Sequence, residues 1–159
     1  MKRTANEIEA LLRELGQHGL GGVNPTAEQL RALIEKDRNG PLHFLNLLSF
    51  HEKAHYPADH EMARRNLSGA EAYALYGAVA IAQVTKRGGR LVALNHVEQD
   101  IIGVGAGWHQ IAIVEYANTD AFIDMVRDPE YVQALVHRDA GLADTVVLVS
   151  RPLLAPAAK

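Results

Sequence analysis

Residues 42–50 constrain the fold more than any other segment, because both faces of the strand they predict are apolar. Successive side chains of a strand point to opposite faces. The even-numbered positions carry Leu, Phe, Leu and Phe around Asn46, and the odd-numbered positions add Leu45 and Leu47. A strand that is apolar on both faces is usually buried on both. The sheet that contains residues 42–50 therefore needs a covering layer on each side.

The elements predicted after residue 41 follow the order β-α-β-β-α-β. A capping box from Ser68 to Glu71 opens a helix that reaches about Lys86, and further helical segments begin near Thr119 and at Pro129. The remaining strands are predicted at residues 90–97, 108–116 and 145–150. This order indicates an α+β protein with the ferredoxin-like split βαβ fold. Because helices cover only one face of such a sheet, we expect a second copy to cover the other and form a dimeric α/β barrel.

Two short helices are predicted before this domain, at residues 6–15 and 26–36, from apolar residues at helical spacing. The chain then divides into an N-terminal helical extension, residues 1–40, a ferredoxin-like domain, residues 41–152, and a tail, residues 153–159. The extension is too short to hold a core of its own.

Composition excludes several classes of function. The 159 residues include no cysteine, which excludes a disulfide framework, a thiolate zinc site, an iron–sulfur cluster and a cysteine nucleophile. The net charge of −3 argues against a surface for nucleic acid. No apolar run approaches the roughly 18 residues of a membrane span, and there is no dinucleotide motif. We expect no secretory signal, because no apolar segment follows the two basic residues near the start. We expect a cytoplasmic homodimer that has no cofactor. We expect it to bind neither nucleic acid nor a membrane.

A set of ordered motifs adds a resemblance to a known family. The motifs are Gly40–Phe50, Ser68-Gly-x-Glu-Ala-Tyr-x-x-Tyr76, Gly88-Gly-Arg90, Trp108, Glu115-Tyr116, Ala121-Phe122, Asp128-Pro-Glu-Tyr131 and His137-Arg138. Over roughly residues 25–152 they resemble a bacterial family known as domain of unknown function 1330. The resemblance implies the dimeric α/β-barrel fold but no agreed activity. The wider relatives of that fold include cofactor-free monooxygenases, isomerases, cyclases and heme-handling enzymes, and transfer of their functions would rest on fold alone.

Residues 51–55 spell H-E-x-x-H, a pattern that binds zinc when it lies on a helix. Lys53 places a positive charge inside the motif, and Pro57 disfavours a helix there. His60 is one residue too early for the extended form of the pattern. We predict a solvated, histidine-rich loop without zinc, and metal binding through His51, His55 and His60 remains a remote alternative.

The candidate site combines polar residues from apolar elements. Asn46 needs a hydrogen-bond partner inside its apolar strand face. Glu115 follows two isoleucines, where an unpaired carboxylate would have a raised pKa suited to acid–base chemistry. We predict catalytic roles for Glu115 and His96, and ligand binding by Asn46, Tyr73, Tyr76 and Arg138. The alternative for each is structural: a satisfied core amide, an ion pair across the sheet, or packing.

Two functions remain open. The first is a cofactor-independent enzyme that uses acid–base chemistry on a small, partly apolar substrate. The second is a non-catalytic ligand-binding or accessory protein, in which the same groups only orient a ligand. For either function, we expect the Asn46 and Glu115 side chains to approach one cavity, with Tyr73 or Tyr76 on its wall. A Glu115 carboxylate fully engaged by an arginine would favour the second.

Overall fold

A computed structural model of the chain describes residues 3–36, 39–105 and 107–154. Within them, four strands form one antiparallel sheet in the order β2-β3-β1-β4. Their bounds are β1 (Leu42–Phe50), β2 (Arg90–His96), β3 (Gln110–Tyr116) and β4 (Leu142–Ser150). The first and third strands are central neighbours, as the ferredoxin-like topology requires.

Helices are present where the sequence predicts them. They are α1 (Ala5–Leu15), α2 (Ala27–Glu35), α3 (Gly69–Lys86), α4 (Thr119–Val126) and α5 (Pro129–Gly141). A capping box begins each of α1, α2 and α3. The predicted order β-α-β-β-α-β is confirmed. The last strand begins at Leu142 rather than at residue 145, because it follows α5 directly and Leu142 pairs with Phe50. None of the helices in the described ranges is long and apolar enough to span a membrane.

The core lies between the sheet and the helices α3 and α5. On the even-numbered face of β1, Leu42 and Phe44 are buried in one apolar cluster with Ala80 and Val84 of α3. Leu48 is buried in another cluster, against which Tyr73 of α3 packs. The odd-numbered residues of β1 therefore lie on the other face of the sheet, which we call the open face. It also contains Ile111, Ile113, Val146 and Leu148 through the strand register.

The N-terminal extension packs against α4 instead of covering the open face. Leu15, Leu30 and Ile34 form a second apolar cluster with Ile123 of α4, which agrees with an extension that has no separate core. On the open face Leu148 remains 51% exposed. The predicted domain boundaries stay predictions, and residues 155–159 of the predicted tail lie outside the described residues.

Candidate functional site

A cavity of about 570 Å³ lies between the helix-side face of the sheet and the N-terminal extension. Residues 15–33 of the extension supply one wall, and β1, β3 and β4 supply the wall opposite. Helices α3, α4 and α5 contribute the remaining lining. Most of the lining is apolar and includes Leu30, Leu33, Phe44, Phe122, Val126, Leu135, Val147 and Val149. A largely apolar cavity of this size with a few polar groups is typical of small-molecule sites.

Asn46 lies in this cavity because it occupies the helix-side face of β1, opposite Ala112 of β3 and Val147 of β4. Its Nδ2 donates hydrogen bonds to the carbonyl oxygens of Phe44, at 3.0 Å, and Ala112, at 3.1 Å. Its Oδ1 forms no hydrogen bond with any other residue of the described ranges. The amide is therefore fixed by the strand backbone and retains one free acceptor at the cavity wall.

Three tyrosines from three different elements meet at the same cavity: Tyr76 of α3, Tyr116 of β3 and Tyr131 of α5. The hydroxyls of Tyr76 and Tyr131 are hydrogen-bonded at 2.9 Å. Burial raises the pKa of all three, so they are neutral hydroxyls at physiological pH. The Tyr116 side chain packs against Phe44 and Phe122. Its hydroxyl has no hydrogen-bond partner among the described residues.

Arg138 is positioned by the face of α5 that borders the cavity, where Tyr131 and Leu135 precede it at helical spacing. Its side chain is only 13% exposed. The guanidinium donates hydrogen bonds to the carbonyl oxygen of Val23 and to Oδ1 of Asn24, the latter at 3.0 Å. These contacts fasten the extension to α5 across the cavity.

Glu115 lies on the open face of the sheet, and the prediction that it shares a cavity with Asn46 is wrong. Asn46 is paired with Ala112, so residues 111, 113 and 115 of β3 point away from it. The Glu115 carboxylate lies 2.9 Å from Nε2 of His43 and accepts a hydrogen bond of 2.9 Å from Nε of Arg90. Arg90 and then His43 hold the pKa of Glu115 below its ordinary value. The carboxylate is thus paired, so the raised pKa of an unpaired carboxylate does not arise, and the arrangement matches the structural alternative of an ion pair across the sheet.

The other predicted residues divide between the cavity and its surroundings. Tyr76 and Arg138 line the cavity together with Asn46. Tyr73 lies beside it, with its ring 5.2 Å from those of both Phe50 and Tyr76. His96 is exposed at the end of β2, paired with Gln110, and is outside the cavity lining. The catalytic roles of His96 and Glu115 stay predictions.

Sequence reasoning missed Tyr116, Tyr131 and the contribution of the extension. Tyr131 could have been found from its position seven residues before Arg138, which places both on one helix face. Tyr116 could have been found from strand alternation with residues 112 and 114. No sequence signal indicated that Val23 and Asn24 would contact α5, because that contact joins residues more than a hundred positions apart.

The histidine-rich segment is a loop, as predicted, with one short 3₁₀ turn at Glu61–Arg64. The rings of His51 and His55 stack at 3.9 Å instead of converging on a common point. Farther along, the Tyr56 hydroxyl is 2.8 Å from Nδ1 of His137 on α5. Burial lowers the pKa of both His51 and His137. Within the described ranges, no three His, Asp or Glu side chains are grouped so that they could hold a metal ion.

The sheet order, with both crossover connections on one face, defines an α+β protein of the ferredoxin-like class with a cavity beneath its helices. The chain belongs to the family described as "Domain of unknown function (DUF1330)", whose sequence profile matches residues 62–152. The family resemblance drawn from the motifs is thereby confirmed, over a narrower range than the motifs indicated.

Three solved structures are similar to this chain to different degrees. The RPA0582 protein of unknown function from Rhodopseudomonas palustris is 34% identical, with a TM-score of 0.75 over 86% of this chain and 100% of that chain. The structure of methylated RPA0582 matches at 34% identity and a TM-score of 0.75, over 87% and 98% of the two chains. A dabb family protein with a ferredoxin-like fold from Mesorhizobium loti is 14% identical, with a TM-score of 0.40 over 72% and 99%. No curated protein matches the chain.

Proposed function

We propose that this protein binds a small, partly apolar molecule in the cavity between the sheet and the N-terminal extension. The hydroxyl of Tyr116 is the observation that carries the proposal. Tyr116 is only 8% exposed and lines the cavity, yet its hydroxyl has no hydrogen-bond partner among the described residues. A buried hydroxyl without a partner costs about 1–3 kcal/mol, and a ligand in the cavity would satisfy it. The free Oδ1 of Asn46 offers the same ligand an acceptor.

Binding without turnover is better supported than acid–base catalysis. Among the described residues that line the cavity there is no Asp, Glu or Lys, and His18 of the extension is the one imidazole. Burial raises the pKa of Tyr76 and Tyr131, which makes them poor bases at neutral pH. Glu115, the predicted acid or base, is engaged by Arg90 and His43 on the other face of the sheet. These features favour the alternative in which the polar groups only orient a ligand.

The neutral dye N-phenyl-1-naphthylamine, which fluoresces in apolar surroundings, provides the test. Val147 faces the cavity opposite Asn46 and is 43% exposed, so Val147→Phe would fill part of the space. Leu75 is 40% exposed on α3 and does not line the cavity, so Leu75→Phe is the matched control. We expect Val147→Phe to weaken dye binding severalfold and Leu75→Phe to leave it unchanged. Equal binding by both variants would overturn the proposal.

We also propose that two copies pair through their open faces. Leu45, Leu47, Ile111 and Ile113 form an apolar centre there that is only partly buried, and Leu148 beside it is 51% exposed. The extension packs elsewhere, against α4. Joining two such faces would remove their apolar surface from water, and a stable dimer requires about 1,200 Å² or more in total.

Light scattering at micromolar concentration tests the dimer. We expect wild type and Leu75→Lys to have the mass of two chains. Ile113→Lys, which places a charge at the centre of the open face, should have the mass of one chain while keeping its circular dichroism spectrum. A wild-type protein with the mass of one chain would contradict the proposal, and so would an Ile113→Lys variant that remains a dimer.

A further inference from the structure

We propose that the ligand of this cavity is a monoanionic carboxylic acid with an apolar body, whose carboxylate is bound by Arg138. The inference rests on the proposed binding function and names the chemical class of the ligand. It follows from the charge, the hydrogen-bond donors and the apolar lining of the cavity.

The charge of Arg138 is poorly balanced by the protein. Its two short hydrogen bonds go to neutral acceptors, the carbonyl oxygen of Val23 and Oδ1 of Asn24. The carboxylate nearest to it is that of Asp139, at 3.4 Å, and this side chain is 51% exposed, so solvent screens the pair. Arg138 itself is 13% exposed. A nearly buried cation whose two shorter hydrogen bonds go to neutral groups, and whose one carboxylate partner is half exposed, favours an anion in the adjoining space.

The number of charges limits the ligand to one negative charge. Among the described lining residues, Arg138 is the one permanently charged side chain, and His18 is the one other basic side chain. A guanidinium matches the geometry of a carboxylate and can donate two parallel hydrogen bonds to it. A dianion such as a phosphate monoester would carry a second charge without a fixed cation to balance it.

The tyrosine hydroxyls extend the anion site. Burial raises the pKa of Tyr76 and Tyr131, and the nearby charge of Arg138 partly offsets this effect. The two hydroxyls are hydrogen-bonded to each other at 2.9 Å, so one donates to the other and the second keeps a proton that it can donate to a carboxylate. Apart from Arg138 and the tyrosines, much of the lining is formed by leucine, valine and phenylalanine side chains. Such a lining suits an aliphatic or aromatic body of the ligand.

The test uses displacement of N-phenyl-1-naphthylamine by two probes of equal chain length, decanoate and decanol. We expect decanoate to displace the dye at a concentration about tenfold lower than decanol, as charge-assisted hydrogen bonds imply. Arg138→Gln should abolish this preference, and Arg138→Lys, which keeps the charge, should retain part of it. Decyl phosphate should bind no more tightly than decanoate.

A second variant separates the charge of Arg138 from its contact with the extension. Asn24→Ala removes one of the two short contacts but keeps the guanidinium, so the preference for decanoate should persist or increase. A preference lost equally in Asn24→Ala and Arg138→Gln would show that only the contact matters and would overturn the inference.

The failure of this inference is distinguishable from that of the proposed function. If wild type binds the dye in the cavity, as Val147→Phe reports, but decanoate and decanol displace it equally, the anion site is wrong and small-molecule binding stands. Much tighter binding of decyl phosphate would also overturn the monocarboxylate class. This comparison uses wild type alone, so it decides the matter even if Arg138→Gln fails to fold.

Discussion

Replacing Glu115 with glutamine tests whether the ion pair on the open face stabilises the fold without affecting binding in the cavity. The Glu115 carboxylate contacts Arg90 and His43, each at 2.9 Å, and is 19% exposed. A hydrogen bond to a charged group contributes about 1.5–3 kcal/mol, but Arg90 is 54% exposed, and exposed pairs contribute about 0.2–1 kcal/mol. We therefore expect Glu115→Gln to lower the free energy of unfolding by about 1 kcal/mol at neutral pH.

The loss of unfolding free energy in Glu115→Gln should depend on pH, and the pKa of Glu115 determines in which direction. Arg90 and His43 hold this pKa below its ordinary value of 4.5 in the folded protein. The stabilisation is therefore fully present above pH 4.5 and is lost as the pH falls through the folded-state pKa. The difference in unfolding free energy between wild type and Glu115→Gln should shrink over this range. Protonation of Glu115 in wild type removes the same charge that the substitution removes.

Urea unfolding at one fixed protein concentration measures this difference, since a dimer gains stability with concentration. Glu52→Gln is the matched control, because Glu52 is exposed and has no hydrogen bond or ion pair with other described residues. The dye should bind Glu115→Gln as it binds wild type. A stability difference between wild type and Glu115→Gln that is unchanged below pH 4.5, or weakened dye binding in this variant, would contradict the prediction.

Three further predictions concern the backbone and the histidine loop. A Cβ at Gly69 would clash with the His51 carbonyl oxygen, whereas one at Gly77 meets nothing within 4 Å. Thermal unfolding should therefore show Gly69→Ala destabilised by about 2 kcal/mol or more and Gly77→Ala not destabilised. Burial depresses the pKa of His51 and His137 below 6.5, so the melting temperature should fall as the pH drops below that value, and less so in His137→Gln. Elemental analysis of untagged protein should find no stoichiometric zinc; one zinc per chain that disappears when His51 and His55 are changed to alanine would contradict this.

The sequence by itself determined the elements and their order, because the signals for them are local. Capping boxes at Thr26 and Ser68 placed the starts of α2 and α3. The alternation in residues 42–50 predicted a strand that needs layers on both faces, and the family motifs supported the same topology. The sequence also placed Asn46, Tyr76 and Arg138 in one candidate site, and all three line the cavity.

The tertiary structure alone decided which side chains share a face and what closes the cavity. A register shift of one residue exchanges the two faces of a strand, so the sequence could not decide whether Glu115 lies with Asn46. Pairing of Asn46 with Ala112 decided that it does not. The contact of Arg138 with Val23 and Asn24 likewise depends on the docking of the extension, which joins distant parts of the chain. Such pairings result from packing of the whole fold, and no local pattern of residues encodes them.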